Sequence, residues 1–214
     1  MELQSSTSAH EQQHSFVEWG VGKKKNLPGD DSILPVVRST PSGLMVAIVD
    51  ANGRGEKPVT AAKNAAAVLE EWTHQSLTDV LNRVDKAVRG TTGVAINIAM
   101  IGLHAHTITW AGVGNVQGLL FHRSPAANPR YANLDLVPGL VGTPSFRSRE
   151  MSQPVKPGDL LIFASDGLAA NFIEALPIDG RPRVVADQLL ASYAQESRDT
   201  VIIVVRYLGS DGGQ

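Results

Sequence analysis

Apolar residues run unbroken from Leu44 to Val49, and the run stops on one carboxylate, Asp50. A stretch this short and this apolar fits a strand covered on both faces. Leu160 to Ala164 repeats the plan and ends in Ser165-Asp166-Gly167. Thr200 to Tyr207 reads as a last buried strand, with Asp199 immediately before it. Further strands are expected at Ser15–Gly22, Ile33–Arg38, Gly93–Leu103, His106–Ala111 and Val116–His122. Thr40-Pro-Ser-Gly43 makes a hairpin turn between two of them.

A second rhythm, with spacings of three and four, marks helices. Over Pro58–Thr73 it aligns Ala61, Ala65, Val68, Leu69 and Trp72. Over Ser76–Arg89 it aligns Leu77, Val80, Leu81, Val84 and Val88, with Ser76 as the cap and Asp79 three residues on. A short helix is expected at Leu168–Leu176 and a longer one at Arg183–Glu196. Polar residues without period at 1–14 and 209–214 read as flexible tails around a single domain, residues 15–208. Lys23 to Asp31 reads as a polar turn. Helix pairs separated by many hairpin-linked strands predict an α/β (α+β) fold. Its expected form is a four-layer α/β/β/α sandwich of two mainly antiparallel sheets flanked by helix pairs.

Composition narrows the function. The 214 residues carry 19 Lys+Arg against 21 Asp+Glu, a net charge of -2. That balance gives no basic footprint for nucleic acid or an anionic membrane. With no cysteine, thiolate metal sites and Cys nucleophiles are excluded. The polar N-terminal residues do not form a signal peptide, and no apolar run reaches the length of a membrane span. A cytoplasmic monomer is expected.

The candidate chemistry lies in the carboxylates at strand edges: Asp50, Asp166, Asp199 and the pair Asp30-Asp31. If those strands lie side by side, the acids converge. Converging carboxylates repel and are costly to bury unpaired, and a divalent cation is the usual remedy. Oxygen ligands without Cys favour Mg²⁺ or Mn²⁺. Such an ion lowers the pKa of bound water to about 7 in the best cases. Water then attacks phosphorus without a protein nucleophile, in keeping with the absence of Cys and of a G-x-S-x-G elbow. Trp72 and Trp110 read as core residues. Asn115 either positions a loop or adopts a left-handed turn conformation.

Several motifs occur in a telling order: Gly29-Asp30-Asp31-Ser32, Val49-Asp50-Ala-Asn-Gly-Arg-Gly55, Gly90-Thr-Thr92, Gly112-Val-Gly-Asn115, Ser165-Asp166-Gly167-Leu168 and Arg198-Asp199-Thr200-Val201. The set resembles the PPM (type 2C) metal-dependent Ser/Thr protein phosphatases, and more narrowly their SpoIIE/RsbX-like bacterial branch. The resemblance implies that Asp50 bridges two Mn²⁺ or Mg²⁺ ions and that the Ala51 carbonyl contacts one. It implies that Asp166 and Asp199 are ligands of the other, with Asp30 or Asp31 in an acidic outer contact. Asp50 and Asp166 then act as catalytic residues through metal-bound water. The implied substrates are phosphorylated STAS-domain proteins of a stressosome-like complex. Three positions depart from the pattern. Arg54, whose guanidinium can grip a substrate phosphate bidentately, stands where the family usually carries His or a small polar residue. Ala51 stands where family members carry Gly. Ser197-Arg198-Asp199-Thr200 stands where two acids, or Asp-Asn, usually precede a spacer and Thr. Either Asp199 is the ligand in a shifted register, or the ligand position is Ser197 or Arg198. A catalytically weak phosphatase-like module that binds the phosphoprotein is the alternative.

Overall fold

The computed structural model describes residues 11–14, 16–25, 31–72, 76–176 and 179–209. Its strands are β1 (Glu11–His14), β2 (Val17–Lys24), β3 (Ile33–Thr40), β4 (Gly43–Ala51), β5 (Val94–Gly102) and β6 (Thr107–Val113). They continue with β7 (Gln117–Phe121), β8 (Tyr131–Asn133), β9 (Met151–Pro154), β10 (Leu160–Ala164) and β11 (Thr200–Tyr207). The helices are α1 (Glu56–Glu70), α2 (Leu77–Val88) and α3 (Pro182–Tyr193), with a 3-10 helix at Ala170–Ala175. One sheet has the order β1-β2-β11-β10-β7-β8, and the other β3-β4-β5-β6-β9. Every neighbouring pair is antiparallel.

Three apolar layers separate four layers of secondary structure, the architecture expected from the sequence. Strand β4 shows why its run is unbroken. Leu44, Val46 and Ile48 pack between the sheets, with Phe163, Ile203 and Val205 of the other sheet. Met45, Ala47 and Val49 face the opposite way, onto Ala61, Ala65, Leu81 and Val84 of α1 and α2. Side chains alternate across a strand, so two covered faces require an apolar residue at every position. On the far side, Ile162, Ile202 and Val204 pack beneath Val185, Ala186 and Leu189 of α3 and Phe172 of the 3-10 helix. Trp72 and Trp110 are buried. Ser76 accepts a hydrogen bond from the Asp79 amide at 3.0 Å, so α2 starts on the cap the sequence announces.

The differences from the sequence reading have local causes. The expected N-terminal tail, residues 1–14, contains strand β1, whose residues Glu11 to His14 pair with Gly20 to Val17 of β2. An edge strand held by main-chain hydrogen bonds needs no apolar side chains, so no periodicity marks it. Lys23 and Lys24 belong to β2 rather than to a polar turn. The Lys24 ammonium donates to the carbonyls of Ala194 and Gln195. The expected helix at Leu168–Leu176 is a 3-10 helix, Ala170–Ala175. Residues 210–214 of the expected C-terminal tail lie outside the described residues.

Candidate metal centre

Alternation along β4 decides where Asp50 points. It shares the parity of Leu44, Val46 and Ile48, whose side chains enter the gap between the sheets. At the end of the strand that parity places the Asp50 carboxylate at the mouth of the gap. Asp50 lies opposite Ile33 on one side and Ala95 on the other. The Ala51 amide donates to the Ser32 carbonyl at 2.9 Å, and the Asn52 amide to the Gly93 carbonyl at 3.2 Å, so the strand end is held on both flanks. Ala51 is extended and opposite Val94 in the ladder. The positive φ values in this turn fall on Gly53 (101°) and Gly55 (98°). Ala at 51 therefore costs no backbone strain.

Asp166 arrives from the other sheet. Beyond β10 the Ser165 amide donates to the Val201 carbonyl at 3.0 Å, and the Ser165 hydroxyl accepts from the Val201 amide at 3.1 Å. This double tie welds the Ser-Asp-Gly turn to the start of β11. Gly167 allows the approach: a Cβ there would meet the Asp199 carbonyl oxygen at 2.7 Å and would also collide with the Thr200 hydroxyl. Gly167→Ala is expected to cost about 1–3 kcal/mol by overpacking. Urea unfolding of the purified variant reads that loss as a lower midpoint.

The two carboxylates open onto one cleft of about 660 Å³, lined also by Arg54, Asn115, Arg198 and Asp199. Burial is the main force on Asp50 and pushes its carboxyl up to about 7. The charge of Asp166 adds to the rise, and Arg198 opposes it. Asp166 is less enclosed, with its side chain 35% exposed, and it has partners. Its Oδ2 accepts from Arg198 Nη1 at 2.5 Å and from Asn115 Nδ2 at 3.1 Å. Arg54 Nη2 donates to the Ser197 carbonyl at 3.2 Å, tying the turn after β4 to the turn before β11.

The candidates named from the sequence divide accordingly. Asp50, Ala51, Arg54, Asp166 and Asp199 all line the cleft. Asp31 is paired with Lys25, whose hydrogen bond holds its carboxyl below the usual carboxylate range. Its neighbours Ser32 and Ile33, not Asp31 itself, line the cleft. Asp30 lies outside the described residues. Among the described residues, no three His, Asp or Glu side chains are grouped so as to hold one ion. Asn115 has a definite role that the sequence left open: it orients Asp166, and its φ is not positive. Arg198 is the residue that sequence reasoning missed as a partner of Asp166. Its only signal was a cationic residue inside an otherwise acidic motif.

The donor set suits a hard cation. Two carboxylates, one of them strained by burial and by its neighbour's charge, face a shared cleft with carbonyl and amide oxygens and no sulfur. Mg²⁺ is commonly held by one or two carboxylates while keeping several waters.

Antiparallel sheets packed face to face with outer helices, and acidic strand ends at one edge, define the fold of the type 2C, or PPM, protein phosphatases. Residues 40–211 match the family described as Stage II sporulation protein E (SpoIIE), and the chain belongs to that family. No curated protein sequence matches it significantly. Among solved structures, it is similar to RsbX in complex with magnesium, with TM-score 0.81 and 17% identity over 93% of this chain and 99% of that one. It is also similar to a chain described under the bacterial stressosome as a modular system adapted to control secondary messenger signalling. There the TM-score is 0.78 and the identity 20%, over 89% of this chain and 99% of that one. The PP2C phosphatase domain of SpoIIE from Bacillus subtilis, solved with a fragment of its regulatory domain, gives TM-score 0.70 and 17% identity. That match covers 90% of this chain and 64% of the other.

Proposed function

We propose that this chain is a Mn²⁺- or Mg²⁺-dependent phosphatase that removes phosphate from serine and threonine residues of proteins. We further propose that its substrates are phosphorylated STAS-domain proteins of a stressosome-like complex, in the cytoplasm. The observation that carries the enzymatic reading is the meeting of Asp50 and Asp166, from different sheets, in one cleft with Arg54 beside them. The similarity to RsbX and to a stressosome chain supports the choice of substrate.

Asp50, the Ala51 carbonyl and Asp166 are the groups that would hold a divalent ion, with Asp199 on the cleft wall. When bound, the ion supplies Lewis acidity and lowers the pKa of water. The remaining work falls to the chain. Asn115 fixes the orientation of Asp166. Arg54 spends one donor on Ser197 and keeps others for phosphate oxygens. The ties at Ser32, Gly93 and Val201 keep the two acidic turns rigid before substrate arrives. Hydrolysis breaks the phosphorus–ester oxygen bond, adds water to phosphorus and returns the proton to the serine or threonine oxygen.

Addition of Mn²⁺ to EDTA-treated protein is expected to start phosphate release from p-nitrophenyl phosphate and, faster, from a phospho-STAS protein. No metal-stimulated release from either, with phosphoprotein binding intact, would sink the enzyme in favour of a catalytically weak binding module. The Arg198–Asp166 contact is the feature that favours that second reading. Equal turnover of small esters and phosphoprotein would remove the substrate assignment alone.

A further inference from the structure

Asp166 already has a cation. Its Oδ2 accepts from Arg198 Nη1 at 2.5 Å and from Asn115 Nδ2 at 3.1 Å, so two N–H donors converge on a single carboxylate oxygen. Arg198 extends from a turn that is itself anchored. Its amide donates to the Gln195 carbonyl, and its carbonyl accepts from the Thr200 hydroxyl at 3.4 Å. The Gln195 amide in turn donates to the Gly167 carbonyl at 2.9 Å, next to Asp166. Guanidinium and carboxylate are therefore held together by adjoining backbone segments. The same positive charge also reaches Asp50. Among the described residues, no third acid joins these two to make a group that could hold a metal.

A guanidinium and a divalent ion repel at close range, and a shielded cleft weakens that repulsion far less than open water does. An ion at Asp166 has to displace Arg198 or accept its charge as a neighbour. We propose that the Arg198 guanidinium is a resident cation of this centre, taking the place of one of two metal ions, so that the chain takes up a single divalent ion, at Asp50 and the other oxygen of Asp166, Oδ1. The inference rests on the metal-dependent reading above and narrows it. It makes Arg198 a residue that sets metal stoichiometry. It also gives Ser197-Arg198-Asp199 a physical sense: the charge there is positive because the cation is built in.

Metal binding tests this without any turnover. Mn²⁺ titration by calorimetry and electron paramagnetic resonance is expected to find one isolated ion per chain in the natural protein. Arg198→Lys retains the charge and is expected to retain the single ion. Arg198→Asn and Arg198→Asp are expected to gain a second ion with a spin-coupled signal, the second site tightening by on the order of tenfold or more as like-charge repulsion is removed. Arg198 is half exposed, so these variants disturb no core packing. Two coupled ions in the natural protein overturn the inference and leave the metal-dependent phosphatase standing. A single ion in all variants also overturns it. Absence of binding in all of them overturns both.

Discussion

Asp50→Asn and Asp166→Asn are each expected to abolish Mn²⁺-stimulated phosphate release, a loss on the order of 10³-fold or more, while far-UV circular dichroism stays that of the natural protein. The size follows from what the carboxylates do together. A divalent ion contributes several kcal/mol to a phosphoryl-transfer transition state, and each 1.36 kcal/mol is about tenfold in rate. An amide presents one neutral oxygen in place of a charged carboxylate, so an ion held by only one or two acids is lost with either. The fold persists because neither side chain belongs to the apolar layers: both lie at strand ends, on the wall of the cleft. Asp31→Asn provides the contrast. Asp31 is paired with Lys25 and does not line the cleft, so its loss is expected to be minor in the same assay. Near-normal turnover in Asp50→Asn or Asp166→Asn would refute their assignment.

What the sequence revealed of this centre followed from burial. Asp50 and Asp166 stand out because an unbroken apolar run leaves little freedom in how a strand lies, and the first polar residue must emerge at its end. The same reasoning exposes the layers, since β4 has to be apolar at every position to serve two cores. It fails where side chains do not decide the structure. Strand β1, Glu-Gln-Gln-His, is an edge strand joined through its backbone, and its sequence carries no trace of pairing. It fails again where a charge chooses among partners. Asp31 adjoins a strand end as Asp50 does, yet Lys25 engages it. Arg198 was readable as a break in an acidic motif. That it grips Asp166 depends on the packing of the Ser165–Gly167 turn against the start of β11, which no local pattern encodes. Ala51 shows the converse. It looks anomalous in a glycine-containing turn, but it ends the strand, and Gly53 and Gly55 carry the positive φ values.

The same burial that makes Asp50 legible makes it a burden on the metal-free protein, so Asp50→Asn is expected to stabilise that protein above neutral pH. Its carboxyl is raised from the ordinary 3.8 to about 7, first by burial and then by the charge of Asp166, with Arg198 pulling the other way. Between those values the unfolded chain has released the proton and the folded chain still holds it. Stability from this group is therefore complete below about pH 3.8, declines as pH rises towards 7, and is absent above. At about 1.4 kcal/mol per tenfold the full effect is at most on the order of 4 kcal/mol, and partial solvent access reduces it to about 2. Asparagine is neutral throughout and does not follow this curve. Urea unfolding in EDTA is expected to show the natural protein and Asp50→Asn alike near pH 4, with the variant more stable by about 2 kcal/mol at pH 8. Saturating Mn²⁺ reverses the order at pH 8, because the ion stabilises only the chain that retains its carboxylate. The proton and the ion compete for the same oxygens, so Mn²⁺ affinity climbs with pH up to about 7 and then levels off. Equal stability of the two proteins at pH 8 in EDTA would show that Asp50 ionises freely in the fold, and the electrostatic case for a cation at this strand end would fall with it.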